Sequence, residues 1–393
     1  MRRPTIAVLS ATAALCLSSV GLAATASAAP SGTGLAHRNA HVCADAPAGT
    51  ASCHAIRRDT VDPNGNTAAP ALAPSGVGPT DIRAAYGLTG ASSGGRTVAI
   101  VDAYDAPSAE ADLATYRKQF GLPACTTANG CFRKVNQTGG SRAPRANAGW
   151  AQEISLDLDM VSATCPDCHI LLVEANSASF VDLAAAVNTA AKLGASAISN
   201  SYGGTDQPAL SAYDHPGIAI TASTGDAGYG VESPASFPGV IAVGGTSLTK
   251  VGSGYTEKAW SGAGSGCSTS NTKPSYQTSA TSCPGKANAD VSAVADPNTG
   301  VAVYDSYAYS GTKGWMVFGG TSASSPIVAS VYAMGTAVGS VAYPAAKTWG
   351  NPAGLNDVTT GTNGTCATPV WCTAGTGWDG PTGLGTPKGT SAF

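Results

Sequence analysis

Ser322 stands in the run Phe318-Gly319-Gly320-Thr321-Ser322-Ala323-Ser324-Ser325-Pro326. Two glycines end a strand-like stretch, and apolar residues then recur at Ile327, Val331 and Met334 with helical spacing. Ser322 is therefore expected at a helix N-terminus, where N–H groups and the helix dipole favour developing negative charge. The glycines let a substrate backbone approach closely. A hydroxyl that only caps a helix would occupy the same place, but the whole Gly-Thr-Ser-Ala-Ser-x-Pro context is more than a cap requires. A nucleophilic serine needs a base. Of five histidines, His37, His41 and His54 fall in the N-terminal leader, His169 begins a strand-like run and His215 sits in a polar stretch. A Ser-His-Asp arrangement is thus poorly supported. Carboxylates fill the gap. Glu153 and Asp157 are four apart in a helical run, hence on one face, and like charges so placed are unfavourable unless they share a proton or serve a purpose. A solvated acidic face is the bland alternative, and Asp159 on the same helix shows that acids here need not be catalytic. Asp226 lies in Ala222-Ser223-Thr224-Gly225-Asp226-Ala227-Gly228, a Gly-rich loop closing an apolar strand. It is either a turn former or, when protonated, a hydrogen-bond donor to an oxyanion.

The elements that must position these residues alternate between strand and helix. Short apolar runs at 96–102, 169–175, 197–201, 218–223 and 240–244 read as buried parallel strands. Residues 108–120, 150–163 and 180–193 read as helices, and 301–317 as a hairpin feeding the Ser322 motif. The expected class is α/β, with a largely parallel sheet flanked by helices on both faces and its active groups on loops past the carboxyl ends of the strands. Residues 260–284 form a Ser/Gly/Thr-rich insertion.

Composition narrows the function classes. Arg2 and Arg3, an apolar run from Ile6 to Ala24 and Ala26-Ser27-Ala28 read as an export signal cleaved after Ala28. No other stretch is apolar for long enough to span a bilayer, so a secreted, extracellular protein with no membrane attachment after signal removal is expected. A net charge of −3 offers no basic surface for nucleic acid. Beyond Cys16 in the signal, ten cysteines fall into neighbouring pairs: Cys43/Cys53, Cys125/Cys131, Cys165/Cys168, Cys267/Cys283 and Cys366/Cys372. In an exported chain these read as disulfides. Neighbour pairing is the simplest of many connectivities. Residues 29–76, rich in Ala, Pro, Gly and Thr, read as a short, poorly ordered leader, with a single domain over 77–393.

The Ser322 segment, the Glu-x-x-x-Asp helix after Trp150 and the Ser-x-Gly-Asp-x-Gly loop together resemble the sedolisin (serine-carboxyl peptidase) family. The similarity continues through Phe237-Pro238-Gly239-Val240, Val243-Gly244-Gly245-Thr246 and Asp290-Val291-Ser292, covering roughly 79–387. The resemblance implies a subtilisin-like fold and an endopeptidase acting on protein or peptide substrates as a monomer. It makes Ser322 the nucleophile, Glu153 its general base, Asp157 the partner sharing that base's proton, and Asp226 the oxyanion donor. Asp102, ending the first strand, would join the outer hydrogen-bond network, a place the family usually gives to Glu. A carboxylate base beside a protonated Asp donor favours acidic operation.

Two features extend or strain the resemblance. Asn356-Asp357-Val358 and Gly375-Thr376-Gly377-Trp378-Asp379 offer hard oxygen ligands suited to Ca²⁺. Two Gly/Asp turns would give the same residues. Sedolisins carry a calcium site of this pattern, which implies one structural Ca²⁺ held by Asp357, Val358, Gly375, Gly377 and Asp379. The family is also usually made with a long folded pro-domain, whereas the leader here is short. That keeps open folding without such a segment, a short leader that suffices, or a sedolisin-like protein that binds peptides or cell-wall material without cutting.

Overall fold

The computed structural model describes Met1, residues 36–62, Thr67 and residues 71–393. The signal-like segment and the expected cleavage point after Ala28 lie outside the described residues.

The chain enters through β1 (Ala36–His41), β2 (Ser52–Cys53) and β3 (Ile56–Val61). After α1 (Pro79–Ala85) come β4 (Thr97–Ala103), α2 (Ala109–Gln119), β5 (Phe132–Asn136), α3 (Ala148–Thr164), β6 (His169–Ala175) and α4 (Phe180–Lys192). Next are β7 (Ala197–Asn200), β8 (Tyr202–Thr205), β9 (Ala219–Ser223), β10 (Glu232–Ser233), β11 (Ile241–Val251) and β12 (Gly254–Ala259). The insertion carries the antiparallel pair β13 (Gly266–Thr272) and β14 (Gly285–Asn288), and β15 (Val291–Val294) follows. The hairpin β16 (Val301–Tyr309) and β17 (Thr312–Gly319) then leads into α5 (Thr321–Met334). The short elements α6 (Ala345–Gly350), β18 (Leu355–Asn356) and β19 (Thr386–Pro387) complete the chain.

The main sheet runs β12-β11-β9-β7-β4-β6-β5, with β15 also paired to β11. All its pairings are parallel except β11 with β12. The fold is therefore the expected subtilisin-like α/β arrangement, with helices flanking the sheet on both faces. Its strands are apolar almost throughout because both faces are covered. Helices α3 and α5 pack together against the sheet, while α4 lies on β4 and β6. Every residue of α5, and all of α3 from Gly149 onward, is buried, as expected of helices enclosed on every side. All five neighbour-paired disulfides are present.

The leader corrects the sequence-based expectation. Residues 36–61 are not a loose tail: β1 pairs antiparallel with β3, and β3 with β17, in a sheet ordered β1-β3-β17-β16. Its composition misled because its partner strand lies more than 250 residues downstream. Its charged residues are also neutralised internally: buried Arg57 donates from Nε and Nη2 to the two Asp59 carboxylate oxygens at 2.5 and 3.2 Å.

Candidate active site

The carboxyl ends of β4, β6, β7 and β9 converge beneath the N-terminus of α5. Gly320, with φ +94°, caps that helix and places Thr321 and Ser322 in its first turn. Only glycine fits here: a Cβ on Gly320 would lie 1.7 Å from the His54 carbonyl oxygen and 2.6 Å from Asp226 Oδ2. Pro326 has no N–H to offer the Ser322 carbonyl one turn back. That carbonyl instead lies 3.4 Å from the Ser201 hydroxyl, which donates chiefly to Asp157 Oδ1 at 2.8 Å. The Ser322 hydroxyl donates to the Ser201 carbonyl at 3.2 Å.

Asp226 is fixed on one side and unpaired on the other. Its Oδ1 accepts from the Thr321 N–H (2.7 Å) and the Thr321 hydroxyl (2.8 Å). Its buried Oδ2 has no partner among the described groups, and faces the region occupied by the His54 carbonyl. Burial raises the Asp226 pKa to about 6, against the lowering influence of His54 and the Thr321 donors. Below that pH it is a neutral acid able to donate.

Asp102, Glu153 and Asp157 are completely buried. Neither oxygen of Asp102 or Glu153 has a partner at hydrogen-bond geometry, nor does Asp157 Oδ2. Burial is the first cause of raised pKa values for Glu153 and Asp157, and the Asp102 charge is the second. The nearby Ser322 hydroxyl and Ala55 N–H lower that of Glu153 in part. Asp102 itself rises to about 8 through burial and the neighbouring Glu174. Such a group holds fewer charges than carboxyls and passes protons among its members. The structure thus brings Ser322, Glu153, Asp157, Asp226 and Asp102 together.

The leader occupies the cleft. β2 adds to β8 antiparallel, with Ser52 opposite Gly203 and Cys53 opposite Tyr202. The His54 N–H continues that ladder to the Ser201 carbonyl at 3.2 Å. This is how an extended peptide binds a sheet edge. The His54 ring enters a buried recess, with Nδ1 2.7 Å from the Ser223 hydroxyl and Nε2 3.0 Å from Glu232. Burial lowers the His54 pKa, but the Glu232 carboxylate and, more weakly, Asp226 outweigh it and the net shift is upward. The His54 ring is thus bonded to Ser223 and Glu232 and not to Ser322.

Sequence reasoning missed His54, Glu232, Ser201 and Glu174. Glu174 had a visible signal, an acid inside the apolar run His169–Ala175, and β-register places it beside Asp102. His54 and Glu232 become meaningful only when the leader crosses the sheet, and Ser201 only when the fold sets it against Asp157 and Ser322.

At the opposite end of the chain the calcium candidates also meet. The Gly377 N–H donates to Asp357 Oδ2 at 2.9 Å and the Gly375 N–H to Asp379 Oδ2 at 3.0 Å. Asp379 is raised to about 7, first by burial and also by the Asp357 charge. Carboxylates in Gly-rich loops are the donor type a hard divalent cation takes, but here both Asp379 oxygens already accept hydrogen bonds, from Gly375 and Thr382, and among the described residues no group of three or more His, Cys, Asp or Glu is placed to hold a metal.

Residues 143–345 match the model of the subtilase family. The chain belongs to the subtilase family. Among subtilases it is similar to sedolisin of Pseudomonas sp. (strain 101), 35% identical over 176 residues, 40% of this chain and 29% of the relative. Kumamolisin of Bacillus sp. (strain MN-32) is 29% identical over 367 residues, 81% of this chain and 63% of the relative. The chain thus spans less than two thirds of the length of these curated relatives. The solved structure of Pseudomonas sedolisin, a serine-carboxyl proteinase complexed with two molecules of pseudo-iodotyrostatin, superposes with a TM-score of 0.68 at 26% identity. That match covers 81% of this chain and 96% of that one. These relatives place this subtilase with the sedolisins.

Proposed function

We propose that this subtilase is a secreted serine-carboxyl endopeptidase, hydrolysing peptide bonds of proteins or peptides at acidic pH through an acyl-enzyme on Ser322. The observation that carries the reading is that Glu153 adjoins both the Ser322 hydroxyl and the Ala55 N–H, while Asp226 Oδ2 and the preceding His54 carbonyl oxygen crowd the same face of Gly320.

For a substrate in that position, Ser322 Oγ attacks the carbonyl carbon as its proton passes to Glu153. Asp157, sharing protons with Glu153, holds that carboxyl in place, while protonated Asp226 donates to the developing oxyanion. The C–N bond breaks as Glu153 returns the proton to the leaving nitrogen. Water then attacks the ester, loses a proton to Glu153 and releases the acid, restoring Ser322. Asp102 would act through Glu153 and Asp157, keeping the group short of charge. A structural Ca²⁺ would be held by Asp357, Asp379 and the backbone carbonyls of Val358, Gly375 and Gly377, away from the reacting atoms. Export fits the five disulfides, and among the described residues no helix is long and apolar enough to cross a membrane.

The test is digestion of denatured protein at about pH 4 and about pH 8, which bracket ordinary carboxyl titration, before and after removal of the leader. Cleavage at acid pH, abolished in Ser322→Ala and Glu153→Gln, is expected. Chelation should lower the melting temperature of the same preparation. A folded, leader-free protein that cuts nothing would instead support a peptide-binding role, and melting indifferent to chelator would remove the calcium assignment.

A further inference from the structure

Ser201 follows β7, leads the chain into β8 and is completely buried. Side chains alternate along extended backbone, so Ser199 and Ser201 leave it on one side. Both meet α5: Ser199 Oγ lies 2.9 Å from Ser325 Oγ, and Ser201 Oγ lies 3.4 Å from the Ser322 carbonyl. Asn200 between them turns to β9 instead, its Nδ2 donating to the Thr221 carbonyl at 2.9 Å. The Ser201 hydroxyl donates its one proton to Asp157 Oδ1 at 2.8 Å. Its backbone carbonyl accepts from the Ser322 hydroxyl at 3.2 Å and from the His54 N–H at 3.2 Å. One residue thus touches both the nucleophile and the acid that partners the proposed base. The other Asp157 oxygen, Oδ2, is buried without a donor, as are both Glu153 oxygens, and the two carboxyls adjoin each other.

We propose that Ser201 is a positioning residue for the reaction: its hydroxyl occupies Asp157 Oδ1, which leaves Oδ2 to carry the proton shared with Glu153, and its carbonyl holds the Ser322 hydroxyl next to that pair. The inference rests on the peptidase reading and adds the device that orients its proton. A carboxyl group that accepts a donor at one oxygen and meets a second carboxyl at the other carries the shared proton at the second. Without the Ser201 hydroxyl the two Asp157 oxygens lose that distinction, and the proton can point away from Glu153. A donor to the pair also favours its charged form, so removing the hydroxyl should delay loss of the pair's first proton to higher pH. The other charged groups nearby do not act through Ser201. Asp102 from β4 and Asp226 from the loop after β9 act by charge, with Glu174 on β6 behind Asp102 and His54 beside Asp226. The Tyr202 hydroxyl bonds Asn200 and Tyr213. α5 carries no charged side chain. From α2 and β16, Asp112, Arg117 and Asp305 act on Asp159, and from α1, Asp81 and Arg83 bind Lys250 and the Thr164 carbonyl.

The full chain carrying Ser201→Ala or Ser201→Thr, assayed on denatured protein from about pH 3 to about pH 8, provides the test. In Ser201→Ala the acid limb of kcat should move up by about one pH unit, the scale of one lost donor to a carboxylate pair, so that kcat near about pH 4 falls about tenfold. KM should hold, because the Ser201 carbonyl is kept. Ser201→Thr, which keeps the hydroxyl, should restore the profile. A hydroxyl that serves packing alone would lower the melting temperature on removal and leave the profile where it was. A second readout needs no turnover. In Ser322→Ala, carbon-13 NMR of labelled carboxyls should show one acid of the Glu153–Asp157 pair losing its proton about one pH unit higher once Ser201→Ala is added. Should Ser201→Ala fail to fold, Ser201→Cys, close in size and a weaker donor, should shift both readouts less and in the same direction. A pH profile or a carboxyl titration unmoved by loss of the hydroxyl would overturn the proposal, as would a Thr variant as impaired as the Ala variant. A wild-type chain that digests nothing while the titration still moves would overturn the peptidase reading and leave the hold of Ser201 on Asp157 supported.

Discussion

Asp157 and Asp159 sit two residues apart on α3 and both are buried, but they face two acidic clusters built on opposite plans. Around Asp159 the structure supplies donors. The Tyr304 N–H donates to Asp159 at 2.9 Å, the Ser306 N–H to Asp112 at 3.0 Å and the Ser155 hydroxyl to Asp305 at 3.2 Å. The Arg117 guanidinium adds a compensating charge. Around Asp157 donors are withheld: of the six oxygens of Asp102, Glu153 and Asp157, only Asp157 Oδ1 is bonded. Burial raises Asp157 on one side and Asp159 on the other. A donor-rich cluster ties helix α2, α3 and the β16 strand together; the donor-poor cluster leaves its carboxyls free to exchange protons beside Ser322, as the proposed mechanism requires. The difference lies in what each side of one helix meets.

The sharpest way to break this comparison is one neutralising substitution on each side. Glu153→Gln should lower turnover by about 10³-fold, the scale of a lost general base, with melting unchanged or raised because an unpartnered acid is gone. Asp159→Asn should leave turnover nearly intact and cost about 1–3 kcal/mol, the range for a weakened buried polar contact. Measuring turnover and melting on both variants decides the matter. If Asp159→Asn lost activity at full stability, the clusters would not be functionally distinct.

Asp226 gives a smaller and more specific effect. With its acid raised to about 6, turnover should fall as pH climbs through that value, because the protonated donor is lost. Asp226→Asn keeps a donor at every pH but places it less well. It should be about 10²-fold slower at acid pH, the usual scale for a disturbed oxyanion donor, and should lack the decline near pH 6. An unaltered pH profile in this variant would assign the titration to another group.

How much of this was legible in the sequence depends on what each residue touches. The strands at 97–103 and 169–175 are enclosed by the sheet's own neighbours, so their apolar runs announced them. Ser322, Glu153, Asp157 and Asp226 stand in local contexts that constrain the backbone around them, and they were legible too. His54 was not, since its role depends on Ser201, Ser223 and Glu232, each more than 140 residues away. β3 was hidden for a related reason: Ile56-Arg57-Arg58-Asp59-Thr60-Val61 looks like exposed chain until Arg57 and Asp59 are seen to pair in a buried layer. A sequence displays periodic burial and local turns well, and pairings between distant segments poorly.

The smallest effect expected is on stability, and its sign is definite. Asp102 is raised to about 8 and Glu174 to about 7, while burial lifts Glu153 and Asp157 as well. In the unfolded chain these acids titrate near their ordinary values of about 4. Between about pH 4 and 8 the folded protein therefore binds more protons than the unfolded one, so stability falls as pH rises. His54, whose pKa is also raised, acts in the same direction, because the leader's hold on Glu232 is complete at acid pH and lost as the imidazole deprotonates. The melting temperature should be highest near the acid end and fall by about 1–3 °C by pH 8, the shift that about 1–2 kcal/mol produces in a chain of this size. Asp102→Asn should flatten the slope, since it removes the acid whose charge raises both Glu153 and Asp157. A melting temperature that climbs from pH 4 to 8 would mean that the Asp102 cluster is not the proton store its unpaired oxygens imply.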